Sequence, residues 1–281
     1  MSDGFQSRWK RRARRLRAIG PILLSIGAGP VVGCGATNQN PAQSAEAKSL
    51  AEYDLAKESY RLGKMRDVID HAQKAVDLDD TNADAAFLAA RVYLEFCMKD
   101  EASSDCRYEE AEKYARKTIE ANPELREAQN MLGVILVHRG RYDEAVTVLK
   151  PLASDIRYNS PENAWGNLGW AYLKLGNFDD AIDALRRSLA AQPLFCVGAY
   201  RLGLAYEQKN DFKAANDAFT KAVETPSPGC QSLQDAFDAR ARVGAKVGLP
   251  DQVRADLSKC VSLDKNNPLG KKCAEQLKTM Q

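Results

Sequence analysis

A 34-residue unit limits what this chain can fold into. The stretch Glu162–Phe195 reads ENAWGNLGWAYLKLGNFDDAIDALRRSLAAQPLF. Large and small apolar residues follow a fixed order along it: Trp165, Leu168, Gly169 and Tyr172, then Ala181, Leu185 and Pro193. Apolar spacings of three and four on either side of Gly176-Asn177 predict two amphipathic helices joined by a tight turn. The frame recurs at Cys196–Gly229, with Leu202, Gly203, Tyr206, Ala215, Phe219 and Ala222, and Gly203 lies 34 residues after Gly169. It recurs upstream at Arg126–Asn159, with Leu132, Gly133, Tyr142, Ala145 and Leu149.

The order Trp, Leu, Gly, Tyr, Ala, Pro at this period resembles the tetratricopeptide repeat (TPR). The resemblance implies an all-α TPR solenoid, a right-handed superhelix of helix-turn-helix units. Weaker copies lie at Ser49–Asn82, Ala83–Leu125 and Gln234–Asn267, which makes six repeats over residues 49–281. The second copy is enlarged by nine residues between Tyr93 and Tyr108, where CMKDEASSDC is inserted. Residues 268–281, PLGKKCAEQLKTMQ, read as a C-terminal capping helix whose lysines cover the open end of the stack. Small residues such as Gly133, Ala145, Gly169, Ala181, Gly203 and Ala215 are expected where helices cross.

The amino-terminal segment is different. Residues 1–33 carry seven basic side chains and one acid, against a whole-chain net charge of +2, so the remainder is mildly acidic. That balance offers no footprint for nucleic acid. The basic run ends at Arg17, and an apolar stretch too short to span a bilayer follows to Val32. Val31-Val32-Gly33-Cys34 resembles a bacterial lipobox, so residues 1–33 are expected to be a lipoprotein signal peptide and Cys34 the lipidated residue. Residues 34–48, small and polar, read as a flexible tether. No Asp follows Cys34 directly, which implies an outer-membrane, periplasm-facing location. The covalent lipid on Cys34 is the only added group expected.

Seven cysteines occur in all. With Cys34 lipidated, six remain, an even number suited to an oxidising compartment. Their spacing favours Cys97 with Cys106, Cys196 with Cys230, and Cys260 with Cys273, although six cysteines allow fifteen connectivities. There is no CxxC, and His71 and His138 are the only histidines, so a zinc site is not expected. Nor is there a phosphate loop, GxSxG or HExxH. No enzyme activity and no small-molecule substrate are expected.

A TPR stack offers a concave groove lined by the first helix of each repeat. The frame points Tyr53, Lys57 and Tyr60 into it, then Phe87, Arg91 and Leu94, then Asn130, Val134, Val137 and His138. Trp170, Leu173 and Lys174 follow, then Tyr200, Leu204 and Glu207, and finally Asp238 and Arg242. Trp165 already fills the usual packing place, so Trp170 is an extra aromatic. An apolar and aromatic strip of this kind suits a partner peptide with Trp and Tyr as anchors. The competing reading is that these residues pack against the following helices or the tether. Lys57, Arg91 and Asn130 do not make the basic set that clamps a terminal carboxylate.

A lipobox, a short tether and six TPRs resemble the type IV pilus biogenesis lipoproteins, the PilF/PilW pilotins. The added cysteine pairs look like the myxobacterial Tgl type. The resemblance implies an outer-membrane lipoprotein that promotes assembly of the pilus secretin PilQ by binding. The alternative is a TPR lipoprotein adaptor of peptidoglycan or outer-membrane protein assembly machinery.

Overall fold

The computed structural model describes residues 41–280, and these form fourteen α-helices with no strand. Cys34 and the segment read as a signal peptide lie outside the described residues. Six helical hairpins follow one another: α1 (Pro41–Arg61) with α2 (Met65–Leu78), α3 (Ala83–Lys99) with α4 (Tyr108–Ala121), and α5 (Arg126–His138) with α6 (Tyr142–Ala153). Then come α7 (Pro161–Leu175) with α8 (Phe178–Ala191), α9 (Cys196–Gln208) with α10 (Phe212–Glu224), and α12 (Gln234–Lys246) with α13 (Pro250–Leu263). A one-turn helix, α11 (Pro228–Gln231), separates the last two hairpins, and α14 (Pro268–Lys278) follows the sixth.

One part of the expected tether is corrected. Residues 41–48 are the first turns of α1. Ala, Gln, Glu and Lys are strong helix formers, and no Gly or Pro follows Pro41 before the turn at Gly63. The helix is also held from the side, because the buried Ser49 hydroxyl donates to the Ala75 carbonyl at 2.7 Å.

The hairpin turns share one backbone device. Gly63, Gly140, Gly176 and Gly248 have φ between 72° and 80°, and Asn210 takes the same left-handed place at 58°. At Gly176 the amide donates to the Leu173 carbonyl at 3.2 Å, and the next amide, of Asn177, donates to Tyr172 at 2.9 Å. This pair of bonds closes the carbonyl end of α7 and reverses the chain. The α3–α4 hairpin is the exception. There the insertion replaces the tight turn, and Cys97 at the end of α3 is bonded to Cys106 just before α4.

Close helix crossing explains the small residues. A Cβ on Gly133 would lie 2.4 Å from Leu149 Cδ2, one on Gly169 2.5 Å from Leu185 Cγ, and one on Gly203 2.5 Å from Phe219 Cδ1. The paired α5–α6, α7–α8 and α9–α10 helices meet there, and Ala145, Ala181 and Ala215 are fully buried on the second helices. Phe219, Leu149, Leu168 and Leu185 are among the largest fully buried side chains. Each hairpin passes its apolar face to the next, and the core runs from Ala56 in α1 to Cys273 in α14.

Two further disulfides bind the carboxy-terminal half. Cys196 at the start of α9 is bonded to Cys230 in α11, and Cys260 in α13 to Cys273 in α14. All three bonds are the pairs that spacing favoured.

Candidate functional site

The first helices of the fourth and fifth hairpins, α7 and α9, form the floor of a groove of about 880 Å³. From α7 it takes Trp170, Leu173 and Lys174, and from α9 it takes Val197, Tyr200, Arg201, Leu204 and Gln208. Phe178 of α8 borders one edge, and Leu233 and Asp235 border another. Met98, in the last turn of α3 beside Cys97, also lines it. The stapled insertion therefore brings part of the second hairpin to a groove built by the fourth and fifth.

The repeat register explains the floor. Trp170 and Leu204 each follow the crossing glycine by one residue, and Tyr200 precedes its glycine by three. Tyr200 therefore shares the face of Gly203, while Trp170 and Leu204 are turned about 100° from their crossing glycines. Tyr200 is half-buried, its ring centre 5.9 Å from that of Phe219. Burial, followed by the field of Asp235, pushes its phenol up to about 12, so it is a neutral anchor with a hydroxyl at its tip.

A polar ladder crosses the same inner helices. Asn167 Nδ2 donates to Asn130 Oδ1 at 3.0 Å, joining α7 to α5. Arg201 Nη1 donates to Asn167 Oδ1 and to the Gly166 carbonyl, both at 3.1 Å, joining α9 to α7. The Arg201 guanidinium carbon lies 4.3 Å from the centre of the Trp170 ring, in range for a cation–π contact. His138 at the end of α5 also meets the indole, in an edge-to-face arrangement.

Of the residues predicted for the groove, the structure brings Trp170, Leu173, Lys174, Tyr200 and Leu204 together in this lining. Tyr53, Phe87, Arg91, Asn130 and Val134 lie outside it. Phe87 and Tyr53 pack against the core of the first hairpins. Arg91 donates to the Tyr60 hydroxyl at 2.7 Å and to Glu95 at 2.9 Å, so its charge is satisfied within its own neighbourhood. Asn130 is spent in the ladder, and Val134 is half-buried. Two further positions read as groove-facing are buried: Val137 in the core, and Asp238 in bonds to Arg242 and Lys272.

Arg201 and Met98 escaped the sequence reading. Arg201 stands two residues before Gly203, where the register points to a helix–helix seam; the reach of its side chain carries the guanidinium over Trp170. Met98 lies in the insertion, where the repeat frame gives no direction.

The remaining titratable candidates have structural partners. His71 Nδ1 lies 2.7 Å from Glu52 Oε2, tying α2 to α1. No cluster of three or more His, Cys, Asp or Glu suited to a metal occurs among the described residues.

Comparison with known proteins fits this geometry. Tetratricopeptide-repeat profiles match residues 124–193 and 167–229. They cover the hairpins that build the groove, and neither profile describes a catalytic family. The fold is a TPR solenoid. Among solved structures it is similar to PilW, a widely conserved type IV pilus biogenesis factor, with a TM-score of 0.65 and 21% identity over 80% of this chain and 98% of that one. It is similar also to PilF of Pseudomonas aeruginosa, with a TM-score of 0.63 and 16% identity over 83% of this chain and 99% of that one. A TPR protein of Parabacteroides merdae matches with a TM-score of 0.60 and 16% identity over 87% and 86% of the two chains. At these identities the likeness is one of fold. No curated protein matches the sequence significantly. The repeat profiles span both α7 and α9, the helices that form the groove floor.

Proposed function

We propose that this chain is a lipid-anchored outer-membrane TPR adaptor that assists assembly of the type IV pilus secretin, PilQ, by binding an apolar segment of the unassembled protomer. The observation that carries the proposal is the groove itself, in which Trp170, Leu173, Tyr200 and Leu204 line one concavity. Aromatic anchors in a preformed groove are what peptide recognition uses. The fold likeness to PilW and PilF, which spans nearly the whole of both, supports the pilus setting. Cys34 behind a lipobox is the proposed anchor, placing the stack on the periplasmic face of the outer membrane. Anchoring raises the local concentration of captured protomers at the membrane they must enter, and no bond need be made or broken.

The test uses the exported protein in its native membrane. Cross-linking should recover a secretin, and a W170A/Y200A variant that folds and is exported normally should lose secretin multimers. Undiminished multimers in that variant overturn the groove as the working surface. Recovery of cell-wall or outer-membrane assembly enzymes instead of a secretin assigns the adaptor to that machinery.

A further inference from the structure

The charge in the groove is unbalanced. The other arginines on the first helices of the hairpins are paired: Arg61 with Glu58, Arg91 with Glu95, Arg126 with Glu124 and Asp155, Arg240 with Asp256, and Arg242 with Glu207 and Asp238. Arg201 has no carboxylate within ion-pair distance among the described residues. Its only hydrogen bonds there are from Nη1 to two neutral acceptors, the Gly166 carbonyl and Asn167. Burial pushes it down to about 10, which leaves it protonated at neutral pH. Lys174, exposed on the same lining, makes no ion pair either among the described residues.

A part-buried cation without a counter-charge costs stability unless something pairs with it. The guanidinium carbon lies over the Trp170 ring, and Nε and Nη2 make no hydrogen bond among the described residues, so the Nε–Nη2 edge can grip a carboxylate through two bonds. We propose that the groove selects an apolar segment carrying an acidic side chain, with the carboxylate held by Arg201 and drawn in by Lys174. This rests on the groove reading above and adds the chemistry of the occupant.

The surrounding charges agree. Glu207 and Asp238, beyond Tyr200, are neutralised by Arg242, and Asp238 also by Lys272. Glu101 accepts the Tyr108 hydroxyl and sits 3.7 Å from His138. Asp235 remains on the α12 edge of the groove, so an incoming acid is drawn away from it, towards the α7–α9 seam. Apolar walls stand on both sides of Arg201, with Trp170 and Leu173 on α7 and Tyr200 and Leu204 on α9. The acid is therefore an internal Asp or Glu flanked by large apolar residues, not a chain end.

The experiment pans displayed random dodecapeptides against the full chain and against W170A/Y200A, R201Q and R201K, with a second library presenting free carboxyl termini. The wild-type protein should enrich peptides with Asp or Glu among Leu, Phe and Trp. R201Q should enrich the apolar pattern without the acid. A selected Glu peptide should bind the wild type about tenfold more tightly than its Gln analogue, as expected for a charged hydrogen bond. That difference should vanish in R201Q and persist in part in R201K. If R201Q folds poorly, K174Q carries the test, with a fall of about threefold in the Glu-over-Gln preference expected from losing the second cation. Identical acid-free apolar peptides from the wild type and R201Q, or an unchanged preference in K174Q, overturn the acidic occupant and leave the groove reading standing. Enrichment only from the free-terminus library overturns the internal side chain. No enrichment by the wild type over W170A/Y200A overturns both readings together.

Discussion

The imidazole of His138 meets the indole of Trp170 edge-on, with ring centres 4.9 Å apart and planes at 79°. Its face lies along Tyr108 at 5.3 Å, and its Nε2 is buried with no hydrogen-bond partner among the described residues. Burial holds the imidazole below its usual 6.5; Arg201 and Lys174 push the same way and Glu101 opposes them. The folded state therefore prefers neutral His138. Its contribution to stability is complete above pH 6.5 and is lost as pH falls towards the folded value. Thermal melts should show an acid-sensitive step beginning near pH 6.5, and H138F, which keeps an aromatic ring there, should flatten it.

A second acid window belongs to Glu112. It is 5% exposed and accepts hydrogen bonds from Arg116, Arg139 and Arg141, which ties α4 to the α5–α6 turn. Burial alone would raise its pKa, but the three guanidinium groups outweigh it and hold the carboxyl below 4.5. This contribution is present above pH 4.5 and lost below it. E112Q leaves three cations facing a neutral group. Urea unfolding at pH 7 should register about 3 kcal/mol, the low end for breaking a buried pair because the arginines remain part-exposed.

The glycines divide into two kinds that substitution should separate. At Gly169 an added methyl would strike Leu185 and approach the Ala181 carbonyl at 3.2 Å. G169A should therefore cost about 1–3 kcal/mol from overpacking. Combining it with L185A should cost less than the sum of the two single changes. At Gly176 nothing lies within 4 Å, and only its φ of 80° opposes a side chain. G176A should cost about 1 kcal/mol, with no dependence on Leu185.

Removing the Cys97–Cys106 bond should affect binding more than folding. The bond closes a short loop, worth at most about 3 kcal/mol in the chain-entropy account, and the rest of the array is packed without it. It also fixes the segment that carries Met98 to the groove and Glu101 to His138 and Tyr108. C97S/C106S should remain helical by circular dichroism and bind groove-selected peptides several-fold more weakly. Unchanged affinity would show that the insertion takes no part in recognition.

The hairpins were legible in the sequence because each depends on local features: a left-handed turn residue, apolar spacing, and a small residue at the crossing. Gly133, Gly169 and Gly203 marked their crossings directly. Half of the candidate site was legible for the same reason, since Trp170, Tyr200 and Leu204 occupy register positions that face inward. What a register cannot give is side-chain reach or the path of an inserted loop. Arg201 enters the site by length from a seam position, and Met98 enters from a segment outside the repeat. Arg91 and Asn130 had the expected place on their helices, but neighbouring side chains had already taken up their hydrogen bonds. The tether was misjudged from residue 41 because small polar composition and helix-forming composition overlap.

The staples are unevenly placed. Disulfides lock the second hairpin, the fifth, and the closure of the sixth onto α14, whereas the first hairpin holds to the second by packing and by non-covalent bonds such as those of Ser49, Tyr60, Arg91, Gln73 and Arg66. Force applied through the amino end meets that uncrosslinked hairpin first. It can peel away as a sacrificial unit and lengthen the chain ahead of the groove before load reaches the α7–α9 floor.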